Sequence, residues 1–209
     1  MSGERPQGLY ALADGEALGG VEKVAVAVRR LAQAGVVHIQ WRIKQASDRR
    51  RWQSLTEAVR GLSGTAAALW VDDRVDLSLA QPAFGVHLGQ RDVAPRDARR
   101  LVGVGRKIGQ STHDRAQVEA AAADPAVDWI AVGPIFATRS KAEPDPVVGT
   151  ELVRYARACS PKPLVAIGGI DAGNARAVLD AGADMVAVLS AVCVGDIERN
   201  VTRLLEAIA

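Results

Sequence analysis

Gln40-Trp41-Arg42-Ile43-Lys44 puts an amide and two cations on alternate positions of one stretch. Period-two alternation sends Gln40, Arg42 and Lys44 one way and Trp41 and Ile43 the other. Such a trio suits a diphosphate, and it equally suits a solvated loop start. Asp72 and Asp73 close the next apolar run, and Asp92 follows the one after it, in His87-Leu88-Gly89-Gln90-Arg91-Asp92. Two carboxylates from neighbouring strand ends are what Mg²⁺ needs, because it takes one or two protein oxygens and fills its octahedron with water and substrate phosphate. Asp73 and Asp92 are therefore the expected ligands, with Asp72 close by, although an aspartate at position 73 is also suited to capping a helix.

Further along, Ser111-Thr112-His113 precedes Asp114, and one of the two hydroxyls is expected to serve as an N-cap. Ser111, nearest the strand end, is the candidate for ligand contact. No Ser-His-Asp spacing suggests a nucleophile. His87, inside a strand-like run, reads as a hydrogen-bonded core histidine, and His113 as an exposed neutral one. Thr138-Arg139-Ser140-Lys141 then supplies two hydroxyls and two cations, and Lys141 is one of only five lysines among 26 basic residues. Near the end comes Leu164 to Ile167, then Gly168-Gly169, Asp171 as a cap for the next helix, Gly182 as its stop, and a second apolar run from Met185 to Leu189. Amides of Gly168 and Gly169, and those around Ser190, can converge on a phosphate dianion, or the glycines simply turn the chain.

The elements that must position these residues repeat. Eight β-type runs occur at Leu9 to Leu12, Val36 to Trp41, Ala67 to Val71, Gly85 to His87, Lys107 to Gly109, Trp129 to Val132, Leu164 to Ile167 and Met185 to Leu189. Helical patterns lie between them, among them Val21 to Gln33, Asp48 to Leu62, Asp114 to Ala123 and Glu151 to Ala158. Strands alternating with helices imply a parallel sheet, and eight units without a glycine fingerprint after the first strand favour a closed α/β structure, a single (β/α)₈ TIM barrel over residues 1–209. In such barrels chemistry sits where strands end and loops begin. The long polar stretch Ala137 to Gly149 fits a loop that folds over a ligand.

With 209 residues and a net charge of +2 of interspersed sign, the chain gives no sign of a nucleic-acid partner. Cys159 and Cys193 lack metal or redox spacing. No apolar run approaches the roughly 20 residues that span a bilayer, and Met1 to Gln7 is not a signal peptide, so a cytoplasmic protein without a membrane partner is expected. A homo-oligomer is compatible with this composition.

Taken together in this order, Gln40 to Lys44, Asp72-Asp73, Gly85 to Asp92, Ser111 to His113, Gly133 to Lys141 and Ala166 to Ile170 resemble thiamine phosphate synthase. The resemblance implies a (β/α)₈ barrel that joins a hydroxymethylpyrimidine diphosphate to a thiazole phosphate, releasing pyrophosphate with Mg²⁺ as cofactor. It further implies that Gln40, Arg42, Lys44, Ser111 and Lys141, flanked by Trp41, Ile43 and Asp72, hold the pyrimidine diphosphate. Asp73 and Asp92 would hold the metal, and Thr138, Arg139, Ser140, Gly168, Gly169, Leu189 and Ser190 the thiazole phosphate. Catalysis would fall to Arg42, Lys44, Ser111 and Lys141. Three positions depart from the family pattern: Asp72 stands where Asn is usual, Arg91 where an acid is common, and Ala137 where a proline is usual. An added carboxylate at 72 would repel a diphosphate or recruit a second cation. Two rival readings are a thiazole tautomerase, whose proton carrier is a histidine after the fifth strand, where His113 lies, and a silent barrel that binds thiamine precursors.

Overall fold

The computed structural model describes residues 6–138, 140 and 145–209. Strands β1 (Gly8–Asp14), β2 (His38–Arg42), β3 (Ala68–Asp72), β4 (Gly85–Leu88), β5 (Lys107–Thr112), β6 (Trp129–Val132), β7 (Leu164–Ile167) and β8 (Met185–Val188) follow one another in a closed barrel. Every neighbouring pair is parallel, including β1 with β8. Between and after them lie α1 (Val21–Gln33), α2 (Asp48–Gly61), α3 (Val75–Ala80), α4 (Pro95–Val102), α5 (Arg115–Ala123), α6 (Gly149–Cys159), α7 (Ala175–Asp180), α8 (Ser190–Cys193) and α9 (Ile197–Ile208). This is the (β/α)₈ barrel expected from the alternation.

Local sequence accounts for the helix limits. In α1, Val24, Val28 and Leu31 recur at helical spacing and are buried against the sheet. Ser47 caps α2 by accepting from the Arg50 amide, Pro95 opens α4, and Asp196 caps α9 by accepting from the Arg199 amide. Two expected caps differ. Strand β5 continues through Ser111 and Thr112, so neither hydroxyl caps α5; Asp114 does, accepting from the Gln117 amide at 2.8 Å. Asp171 does not cap α7 either: its Oδ1 accepts from the Gly173 amide, and the chain makes a turn before the helix starts at Ala175.

Two apolar layers result. The larger lies between strands and helices and holds Val28, Leu31, Ile39, Trp41, Leu55, Ile130, Val153 and Val186. The smaller fills the barrel interior with Tyr10, Leu12, Trp70, Trp129, Ala131, Val165, Met185 and Ala187. At the N-terminal end the rings of Trp70 and Trp129 lie 4.5 Å apart, and His38 meets Trp129 edge-on at 4.8 Å. Burial among these rings holds His38 neutral, its pKa lowered to about 4. That end is closed by aromatic packing, which leaves the opposite mouth, where Asp14, Arg42 and Asp72 end their strands, for polar chemistry.

Candidate active site

Strand pairing brings the charges of the mouth together. Asp14 and Arg42 are register partners at the ends of β1 and β2, and the Arg42 guanidinium donates to the buried Asp14 carboxylate. Asp14 is itself fixed by the amides of Glu16 and Ala17 at 3.1 and 2.8 Å. Arg42 Nε also lies 3.6 Å from Asp72 Oδ2, and Lys44 Nζ lies 2.8 Å from the same oxygen while donating to Asp73. Positive and negative groups thus alternate across three strand ends. Burial works against the charges of Arg42 and Lys44, but the carboxylates of Asp72 and Asp73, joined by Asp14 in the case of Arg42, outweigh it and raise both pKa values.

Asp72 lies deeper than Asp73, with its side chain 10% exposed against 25%. Burial pushes its pKa up, and Lys44 and Arg42 only partly offset this. Asp92 is also raised, by desolvation first and then by the nearby Asp73, against a hydrogen bond of 2.7 Å that Asp92 Oδ2 accepts from the Gly89 amide. Asp73 has the one positive φ among the described non-glycine residues, 58°, a conformation that aspartate tolerates better than most. Its amide donates to His87 O at 2.9 Å, which ties β3 to β4 and turns the carboxylate towards Lys44 and Asp92. The helix-cap alternative for Asp73 is thereby replaced: Arg74 holds the cap position of α3, without a side-chain bond.

Each remaining candidate has a definite place. Gln40 is buried in the barrel, its Nε2 donating to Tyr10 Oη at 3.1 Å. Ser111 Oγ and His87 Nε2 are 2.9 Å apart, and Gly109 has no Cβ where one would stand 2.6 Å from His87 Nδ1, so the imidazole can lie across β5. Trp41 and Ile43 belong to the outer layer: Trp41 Nε1 donates to Ser54 Oγ on α2 at 3.1 Å, and neither side chain faces the mouth. They face the helices because alternation puts them opposite Gln40, Arg42 and Lys44. Thr138 Oγ1 accepts from the Ser140 amide at 3.2 Å. Arg139 and Lys141 lie outside the described residues.

Gly168 and Gly169 have φ of +105° and +64°. A Cβ on Gly168 would stand 2.5 Å from Pro134 Cβ, and one on Gly169 2.5 Å from Ala137 O, so only glycines let this turn lie against the segment after β6. Two bonds join the segments, Ile135 N to Ile167 O and Phe136 N to Gly168 O, both 2.9 Å. Leu189 packs on the interior cluster and Ser190, at the start of α8, is exposed.

His113 differs from its expected exposed state. Its side chain is 18% exposed, its Nδ1 is 2.6 Å from Gly133 O, and its Nε2 is 3.6 Å from Asp145 Oδ2. Asp14 and Tyr10 were not legible as site residues. The signal was the alternation Tyr10, Leu12, Asp14, which continues the inward face of β1 two residues past the apolar run.

The site chemistry fits a hard divalent cation. Among the described residues no three His, Cys, Asp or Glu side chains form a closed metal cage. What the mouth offers is the pair Asp73 and Asp92, with the Lys44 ammonium resting on Asp73 and Asp72. An open two-carboxylate site suits Mg²⁺, which keeps positions for water and phosphate.

Fold and site together define a βα-barrel enzyme with a charged mouth at the C-terminal strand ends. The family model for thiamine monophosphate synthase matches residues 9–192. Thiamine-phosphate synthase of Koribacter versatilis is 44% identical over 193 residues, 90% of each chain. That of a Synechocystis strain is 44% identical over 172 residues, 82% of this chain but 49% of its own. The structure of a thiamine phosphate pyrophosphorylase from Pyrococcus furiosus superposes with a TM-score of 0.85 at 31% identity, covering 96% of this chain and 94% of that one. The chain belongs to the thiamine monophosphate synthase family and is a transferase. Among the described residues no helix is long and apolar enough to cross a membrane.

Proposed function

We propose that the chain condenses 4-amino-2-methyl-5-(diphosphooxymethyl)pyrimidine with a thiazole phosphate, giving thiamine phosphate and pyrophosphate. The observation that carries this reading is the alternating row Asp14, Arg42, Asp72, Lys44, Asp73, leading to Asp92. Four carboxylates against two cations leave that row net negative when all are ionised. A diphosphate entering it needs further positive charge, which supports a divalent cation held by Asp73 and Asp92. When bound, Mg²⁺ supplies charge neutralisation of the diphosphate.

In this reading the C–O bond to the diphosphate breaks with its electron pair leaving on oxygen. The electron-rich aminopyrimidine carries the resulting cation, and the thiazole nitrogen lone pair forms the new C–N bond. Arg42 and Lys44, released from their carboxylates, face the departing group, together with Lys141. Gln40 fixes the ring beneath, and Ser111, oriented by His87, contacts the diphosphate. The turn at Gly168 and Gly169 receives the thiazole phosphate with Thr138 and Ser140, along with Arg139, Leu189 and Ser190. No general base is needed, so the chemistry rests on charge placement and alignment. The tautomerase reading is less well supported, because both ring nitrogens of His113 face protein groups.

Mixing both precursors with the protein and Mg²⁺ should release pyrophosphate, and EDTA should stop it. Asp92→Ala should lower turnover by at least the roughly ten- to hundredfold that losing a mere outer-shell partner of a metal costs; His113→Ala should retain turnover at saturating substrate. Isomerisation of a thiazole without pyrophosphate release, lost in His113→Ala and kept in Asp92→Ala, would overturn the synthase reading in favour of the tautomerase.

A further inference from the structure

After β6 the chain leaves the barrel at Gly133, and Val148 leads back into α6; among the described residues, backbone bonds fasten both places. Gly133 N donates to Thr112 O at 3.1 Å, and Val148 N donates to Pro134 O at 2.9 Å. A side chain that reaches both Gly133 and Asp145 is His113, from the loop after β5. A carbonyl oxygen only accepts, so the 2.6 Å contact with Gly133 O places a proton on Nδ1. Nε2 stands 3.6 Å from Asp145 Oδ2.

The ring is itself seated. The His113 amide donates to Gln117 Oε1 at 2.8 Å, and the Gln117 amide donates to the Asp114 carboxylate that caps α5. On its other flank the stretch after Gly133 is bonded to the Gly168 turn through Ile135 and Phe136. His113 is therefore coupled, through residues 133–137, to the turn at Gly168 and Gly169, and Thr138 follows directly on that stretch.

We propose that His113 is a positioning residue: its imidazole joins Gly133 to Asp145 and so holds Thr138 and Ser140 at the thiazole phosphate subsite. This rests on the assignment of that subsite made above. It also gives the histidine after the fifth strand a task that requires no proton transfer to substrate.

Steady-state kinetics of the full chain with each substrate varied in turn tests it. His113→Ala should raise the KM for the thiazole phosphate about tenfold, while the KM for the pyrimidine diphosphate stays within twofold. His113→Asn, whose amide can reach Gly133 O from the same Cβ, should restore part of the loss. Asp145→Ala should raise the same KM, and the double variant His113→Ala/Asp145→Ala should show less than the product of the single effects. Equal rises in both KM values, or none, would overturn the proposal. Amide hydrogen exchange over residues 135–138 keeps it distinct from the functional reading. Exchange should be several-fold faster in His113→Ala than in the parent chain, with the helices unchanged. If the parent chain releases no pyrophosphate, the functional reading fails while exchange still reports on the clamp; unchanged exchange would refute the clamp itself.

Discussion

At the scale of single residues, the mouth is governed by which carboxylate each cation rests on. Lys44 reaches Asp72 and Asp73, and Arg42 reaches Asp14 and Asp72. The negative charge of Asp72 is thus met by two cations already in place. Asp14 is the more consequential partner, because it is buried and fixes Arg42 through a register pair. Asp14→Ala should destabilise the protein by about 3 kcal/mol, since it leaves a largely buried guanidinium with a weaker set of partners. Urea denaturation measures that loss, and the same variant should raise the KM for the diphosphate substrate about tenfold. The shared facing of Gln40, Arg42 and Lys44 was legible because alternation alone decides it. Nothing comparable was legible for Asp14, whose role depends on the strand it lies beside, nor for His113, whose partner Asp145 returns from a distant loop.

Elements set the limits within which those residues work. The β-type runs located all eight strands, but their polar ends were cut short: β1 runs on to Asp14 and β5 to Thr112. Both extensions carry hydrogen-bonding side chains into the mouth, where apolar patterning gives no signal. Glycine placement was legible as punctuation, and its second use was not, because the closeness of Pro134 to Gly168 is a contact between separate units. Strand β2 also carries a testable burden at its other end, in His38. Its folded pKa is lowered to about 4 from 6.5, so the ring stays neutral while the unfolded chain takes up a proton. Stability from this group is complete above pH 6.5 and is lost as pH falls towards 4, by at most about 3 kcal/mol. Denaturation of the parent chain and of His38→Gln across pH 4 to 7 should show the smaller slope in the variant. Parallel slopes would contradict the neutral buried ring.

For the molecule as a whole, the barrel separates stability from chemistry by its two ends. At the N-terminal end the pattern of Arg99 on α4 with Asp128 before β6 is repeated by Arg157 on α6 with Asp184 before β8. In each case the aspartate also accepts from an amide of the neighbouring earlier strand, Ile108 N on β5 at 2.8 Å and Leu164 N on β7 at 2.7 Å. Arg157 further donates to the carbonyls of Gly182, Ser160 and Lys162. Arg157→Ala should therefore cost about 3 kcal/mol and lower Tm by roughly 10 °C. Both KM values should be unchanged at a temperature where the variant is folded. The closed barrel was legible from eight alternations, since a parallel sheet of that many units without a dinucleotide fingerprint has few other solutions. This pairing of base and helix was not, because it links residues of neighbouring units through the barrel's curvature.

The central claim is that the strand ends of β2 to β4 grip a diphosphate through a divalent cation. Mn²⁺, which accepts the same carboxylate and water ligands as Mg²⁺, makes that visible by electron paramagnetic resonance. Titrated alone, Mn²⁺ should bind weakly, because the Lys44 ammonium already rests on Asp73 and Asp72. With the pyrimidine diphosphate present, binding should tighten at least tenfold, and Asp73→Ala and Asp92→Ala should each remove that gain. Tightening that survives both substitutions would place the cation elsewhere and contradict the account.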